Sequence, residues 1–157
     1  MDSIQIRQFD PARDENLLQA VVNLHIDCIN FEDALLRYHP PFNEEKQAKI
    51  LRFWKERFDQ IPRGLKVTFI ATTTTSGIPK SRKSEGGELE LCGLVELGTP
   101  EAETGPFRGD VELLMVSPHH RRKGIAKKLM VALEECARQK GRTLLVIMPI
   151  SLAGMRR

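Results

Sequence analysis

The residues best suited to chemistry lie in one run, VELLMVSPHHRRKGIAKKL, at positions 111–129. An apolar strand carrying one acid, Glu112, reaches a short polar turn closed by Pro118, and a helix opens at Gly124. The first N–H groups of a helix have no intrahelical partner, and the macrodipole places positive charge there, so this junction is a ready anion site. Gly124 has no β-carbon to hold a ligand off, Ala126 is nearly as permissive, and Arg121, Arg122 and Lys123 add charge. A pyrophosphate would fit there. Asp110 and Glu112, on the strand that leads in, are the carboxylates available to take up a proton. His119 and His120 read as exposed turn residues, and no spacing to His25 or His39 suggests a metal site, so no metal is expected.

Holding such a junction takes a strand, a turn and a helix within one core. The chain has 157 residues, about the length of one domain, and 41% of them are hydrophobic. Ile4, Ile6 and Phe9 predict a short first strand, and the apolar positions from Leu17 to Ile29 recur with helical spacing. Beyond Pro40 and Pro41, Asn43 predicts the cap of a second helix whose Ile50, Leu51, Trp54 and Phe58 share a face. From Leu65 the run VTFIATTTT predicts a strand, SGIPKSRKSEGGE a long connection, and residues 89–97 a third strand antiparallel to the second. A Gly- and Pro-bearing loop at 98–109 then leads to a strand at 111–116, read as largely buried with Leu114 and Met115 in the core. Ile125, Leu129, Met130, Leu133, Cys136 and Ala137 describe an amphipathic helix ending at Gly141, and residues 144–148 a fifth strand. So compact a strand–helix–strand passage favours parallel pairing. The order is β-α-α-β-β-β-α-β, an α/β fold of the α+β kind with a mixed sheet, in a single domain over residues 1–157.

Charge is unevenly spread. Residues 1–64 carry 9 basic and 11 acidic side chains, whereas residues 65–157 carry 15 and 10, so the second part is the one to meet an anion. A nucleic-acid module is the rival class, since residues 121–142 hold eight basic and two acidic side chains and KSRK at 80–83 adds a second cluster. Against it, no Phe, Tyr or Trp follows Phe107, which leaves the basic region without a platform on which bases could stack. Cys28, Cys92 and Cys136 are odd in number and sit among apolar neighbours, so they read as core hydrophobes in a reducing compartment. The N-terminus lacks the pattern of a signal peptide, and the longest apolar stretch, 144–150, is too short to span a bilayer. A cytoplasmic or nuclear protein with no membrane partner is expected.

Arg121, Gly124 and Ala126 match the pattern (Gln/Arg)xxGx(Gly/Ala), and Val116, Ser117 and Pro118 supply a Val-x-Pro turn ahead of it. With these residues in this setting, the chain resembles the GNAT family of acetyl-CoA-dependent N-acyltransferases. The resemblance runs from Ile4 to about Met148 and is strongest over residues 110–148. It implies acetyl-CoA as cosubstrate and transfer of the acetyl group to an amine of a small molecule or protein, by direct attack in a ternary complex. It also implies that the backbone of Leu114, Met115 and Val116 holds the pantetheine arm like an added strand, and that Arg121, Arg122, Lys123, Gly124, Ile125 and Ala126 wrap the pyrophosphate. An amide near a strand bulge would polarise the acetyl carbonyl, with Glu112 or Asp110 as base. The family normally continues past the fifth strand with another helix and two strands, and that helix commonly bears a tyrosine that protonates the leaving thiolate. The sole tyrosine here is Tyr38. The expectation is therefore a C-terminally incomplete domain, either slow in transfer or a non-catalytic CoA-binding relative, that self-associates through the exposed edge of its fifth strand.

Overall fold

In a computed structural model the described residues are 3–32, 37–75 and 88–147. They form β1 (Gln5–Gln8), a 3-10 turn (Glu15–Leu17) that runs straight into α1 (Leu18–Glu32), α2 (Glu44–Phe58), β2 (Lys66–Thr75) and β3 (Glu88–Gly98). Next come β4 (Arg108–Val116), a second 3-10 turn (Pro118–His120), α3 (Ile125–Gln139) and β5 (Leu144–Ile147). The expected element order is thus found. The strands make one sheet in the order β1-β2-β3-β4-β5, antiparallel from β1 to β4, with β5 parallel to β4. The connection at 76–87 and everything from Met148 onward lie outside the described residues.

Helices cover both faces of the sheet because each strand has an apolar set on either side. α1 and α2 bring Val21, Ile29, Ile50 and Trp54 onto Ile70, Leu94 and Met115. α3 brings Ile125, Leu129 and Leu133 onto Ala71, Cys92 and Val95. Each such aliphatic side chain contributes roughly 1.5–3 kcal/mol on burial. Trp54 and His25 are both fully buried, and Trp54 Nε1 donates to His25 Nδ1 at 3.1 Å, which satisfies two polar atoms inside the α1–α2 layer. The three cysteines are buried and unbridged, as their neighbours in sequence suggest. Gly93 allows α3 to close on the sheet, since a β-carbon there would lie 2.9 Å from the Met115 carbonyl oxygen and 3.1 Å from Ile125 Cγ2.

β4 departs from expectation in two ways. It begins at Arg108, inside the stretch read as loop, and it is only half-buried. The register explains the second point. Leu94 pairs with Met115 and Glu96 with Glu112, so one residue of β3 faces two of β4, and Leu113 adopts φ 50°. This is a β-bulge, and the extra residue resets the alternation of side chains. Met115, 2% exposed, enters the core as expected, but Leu114 is left outside at 40% exposure, which corrects its placement as a core residue. No helix among the described residues is long and apolar enough to cross a membrane.

Candidate active site

The site is built along β4 and the turn that follows it. β5 pairs with β4 from Arg108↔Leu144 to Val111↔Ile147, and among the described residues no pair follows Val111. Leu114, Met115 and Val116 continue β4 beyond this described pairing. On the other side Met115 and Val116 stay paired with Leu94 and Gly93. Cys28 Sγ donates to the Val116 carbonyl at 3.4 Å and ties α1 over the end of the strand. The bulge holds Leu113 at positive φ, and a non-glycine residue kept there is the kind of local strain that collects at functional sites.

Beyond Val116 the chain makes a tight turn. Ser117 N donates to the Cys92 carbonyl at 2.8 Å, and the Ser117 carbonyl accepts from His120 N at 3.0 Å. Arg122 (φ 61°) and Gly124 (φ 71°) are both left-handed. Such alternations of backbone hand gather N–H groups into an anion-binding concavity. α3 then starts from Gly124 with no side-chain cap and no acid in its first turn. α2, of the same length, is completed from within: Asn43 Oδ1 accepts from Lys46 N at 2.9 Å, and Glu44 and Glu45 occupy the first turn. At α3 the surroundings are instead cationic.

The predicted cradle residues divide accordingly. Arg121, Arg122, Lys123, Gly124 and Ala126 are exposed around the start of α3. Ile125 has its side chain in the core at 2% exposure, so only its backbone faces the junction. The Arg121 guanidinium lies over the ring of Phe31 on α1, 6.0 Å from its centre, and Phe31 is 68% exposed. The reading of both histidines as exposed turn residues holds for His119 alone. His120 is buried, with Nε2 2.9 Å from Glu90 Oε1 and Nδ1 3.2 Å from Lys123 Nζ, because the 3-10 turn swings its ring inward against β3.

Midway along β4, Glu112 is far from bare. Its Oε2 accepts from Lys66 Nζ at 2.5 Å and also from Arg57 Nη2. Arg57 Nε donates to Glu96 Oε2 at 2.6 Å, and Thr68 Oγ1 donates to Glu96 Oε1 at 3.2 Å. Glu96 is fully buried, and burial pushes its carboxyl above the usual carboxylate range, against the opposing pull of Arg57 and Lys66. Asp110 is held by Arg108, whose Nε and Nη2 donate at 2.8 and 3.1 Å. Arg57, Lys66 and Glu96 were not singled out in the sequence, yet a signal existed. Lys66 with Thr68, Glu96 and Glu112 are polar residues that interrupt apolar stretches of three strands, and the antiparallel register pairs Thr68 with Glu96 and Glu96 with Glu112. Among the described residues no cluster of His, Cys, Asp and Glu could hold a metal ion.

Comparison with known proteins identifies the class. The profile of the acetyltransferase (GNAT) family matches residues 31–149, most of the chain. The chain belongs to the GNAT family, whose members are acyltransferases that draw on acetyl-CoA. Its fold is similar to that of the PaiA N-acetyltransferase of Thermoplasma acidophilum solved with coenzyme A, at 17% identity and a TM-score of 0.61, covering 96% of this chain and 84% of that one. It is similar to a predicted acetyltransferase of Clostridium acetobutylicum solved with acetyl-CoA, at 16% identity and a TM-score of 0.59, covering 99% of this chain and 91% of that one. An acetyltransferase of Trypanosoma brucei gives 19% identity and a TM-score of 0.55, covering 99% of this chain and 94% of that one. At these identities the likeness is one of fold. No curated protein matches the chain.

Proposed function

We propose that the chain is an N-acetyltransferase that moves the acetyl group of acetyl-CoA to an amine by direct attack in a ternary complex. The observation that carries this reading is a continuous path: the bulge at Leu113, the strand segment 114–116, and the uncapped, cationic start of α3. In this reading Arg121, Arg122, Lys123, Gly124 and Ala126, with the backbone of Ile125, hold the pyrophosphate. The backbone of Leu114, Met115 and Val116 holds the pantetheine as an added strand. The thioester carbonyl then lies by the bulge, where a backbone amide polarises it. The amine nitrogen forms a bond to the carbonyl carbon, the C–S bond breaks, and the thiolate takes a proton from solvent. The proton shed by the amine passes to Glu112, directly or through water, with Asp110 as the alternative acceptor. Alignment of the amine against the carbonyl supplies most of the acceleration, and no covalent link to the protein forms.

A second reading, a relative that binds CoA without turnover, is favoured by the two cations already bonded to Glu112. Thiol release from acetyl-CoA by the purified chain, with a panel of primary amines, separates the two. Amine-dependent release above the blank supports transfer. CoA binding without release supports the second reading, and neither binding nor release contradicts both. The edge of β5 also bears on behaviour in solution. Leu144 and Ile147 are 47% and 64% exposed there, so concentration-dependent self-association through this edge belongs to the same proposal.

A further inference from the structure

The basic region around the start of α3 has no aromatic residue of its own, since none follows Phe107 in the sequence. The fold brings one to it from α1. Phe31 is 68% exposed, and the Arg121 guanidinium stands 6.0 Å from the centre of its ring. Cys28, whose Sγ donates to the Val116 carbonyl, marks where α1 passes the last residue of β4. Phe31 lies three residues further along the helix, about 4.5 Å of rise, and so stands beside the turn that carries Arg121. Leu24 and Asp27 precede Phe31 by seven and four residues, on the same face of α1, and with Leu89, Ser117 and His119 they line a cleft of about 430 Å³. Ring, cation and cleft thus meet at one place.

We infer that Phe31 and Asp27 form the seat of the coenzyme's adenine, with the base stacked on the Phe31 ring and its exocyclic amino group donating to the Asp27 carboxylate. The inference rests on the proposed coenzyme site and extends it from the phosphates to the base. Arg121 joins the two parts, because the first residue of the pyrophosphate cradle is also the one that stands over the ring. In CoA a single ribose connects the diphosphate to the adenine, so a diphosphate held at Arg121 keeps the base on a short tether beside Phe31. The pantetheine leaves the diphosphate the other way, back along residues 114–116, and does not compete for the ring. Charge sorts the parts in the same sense. The cations stand in the turn, whereas the cleft presents the carboxylates of Asp27 and Glu90, which repel phosphate and accept from an amino group. Glu90 already meets His120 Nε2 at 2.9 Å, so Asp27 is the acceptor assigned to the base. An exposed aromatic beside a cation is a combination that recurs where proteins hold a base next to its phosphate.

Three ligands titrated by calorimetry test the assignment: CoA, ADP, which keeps adenine and diphosphate without pantetheine, and a form of CoA with hypoxanthine in place of adenine, which carries an oxygen where the amino group stands. Phe31 and Asp27 are both exposed, so their replacement leaves folding intact. Phe31→Ala should weaken CoA and ADP alike, by about tenfold, as the loss of one stacked base does, and Phe31→Trp should retain both affinities. The unaltered chain should bind the hypoxanthine form about tenfold more weakly than CoA, and that preference should vanish in Asp27→Ala. CoA affinity unchanged in Phe31→Ala, a loss for CoA without one for ADP, no binding of ADP, or equal binding of the two bases would each overturn the inference and leave the coenzyme site standing. A single-stranded oligodeoxyadenylate serves as the rival ligand: if Phe31→Ala weakens it and not CoA, the ring belongs to a nucleic-acid surface and the inference falls. Absence of CoA binding by the unaltered chain would overturn the coenzyme site and this inference with it.

Discussion

The middle of β4 and the turn beyond its end carry charge in opposite ways. Midway along the strand Glu112 and the buried Glu96 meet Arg57 and Lys66, two acids against two bases, all within hydrogen-bonding or ion-pair reach. Past its end, Arg121, Arg122 and Lys123 crowd the start of a helix that has no side-chain cap and no acid in its first turn. The first region is neutralised by the fold. The second carries excess positive potential that an outside anion can satisfy. α2 shows that such a helix start is not forced by the architecture, because there Asn43, Glu44 and Glu45 complete it internally. The difference teaches where to look for a ligand: at the end where the chain withholds its own counter-charge.

The closed region is broken most severely by removing one of its cations. Arg57→Met leaves Glu96 fully buried with Lys66 no nearer than 3.8 Å, and should cost about 3 kcal/mol in denaturant unfolding. Affinity of the folded variant for CoA should stay the same. Glu112→Gln tests whether this region also serves chemistry. As general base, its loss should lower acetyl transfer about a hundredfold with CoA affinity unchanged, measured by thiol release and calorimetry. A variant with full turnover would assign Glu112 to the charge cluster alone.

At the internally completed helix start, Asn43→Ala should cost about 1 kcal/mol of stability and leave CoA binding untouched, which separates capping by the fold from capping by a ligand. The finest test is one of pH. Burial raises the Glu96 carboxyl above its ordinary value near 4.5, so its protonated form is favoured by folding. The resulting stabilisation is complete below that ordinary value and is lost as pH rises through the folded one. Relative to Glu96→Gln, the unaltered chain should therefore gain stability as pH falls from 8 toward 5 in urea titrations. A difference that is flat or of opposite slope would mean that Arg57 and Lys66 outweigh burial.

Much of this was legible in the sequence. The order of elements, the amphipathic face of α3, the parallel fifth strand and the uncapped, cationic start of α3 all rest on local spacing and on residues close in sequence, which is the information a single chain carries most directly. Three features were not legible. The bulge at Leu113 is a matter of register between β3 and β4, and it alone decides that Met115 rather than Leu114 enters the core. The inward swing of His120 depends on Glu90, 30 residues earlier, standing opposite it. Arg57 reaches Glu112 across 55 residues, from a helix whose apolar face says nothing of where its basic residues end. Each requires two distant elements to be placed first.

The most direct measurement is a calorimetric titration of CoA into the unaltered chain and into Gly124→Asp. A β-carbon at position 124 meets nothing within 4 Å, and aspartate is among the residues that tolerate a left-handed backbone, so the variant should fold. Its carboxylate would stand where an external anion completes α3. Binding by the unaltered chain, weakened about a hundredfold or more in the variant (roughly 3 kcal/mol), is the predicted result. Equal affinity of the two proteins, or no binding by the unaltered chain at millimolar CoA, would contradict the assignment of the coenzyme to the start of α3.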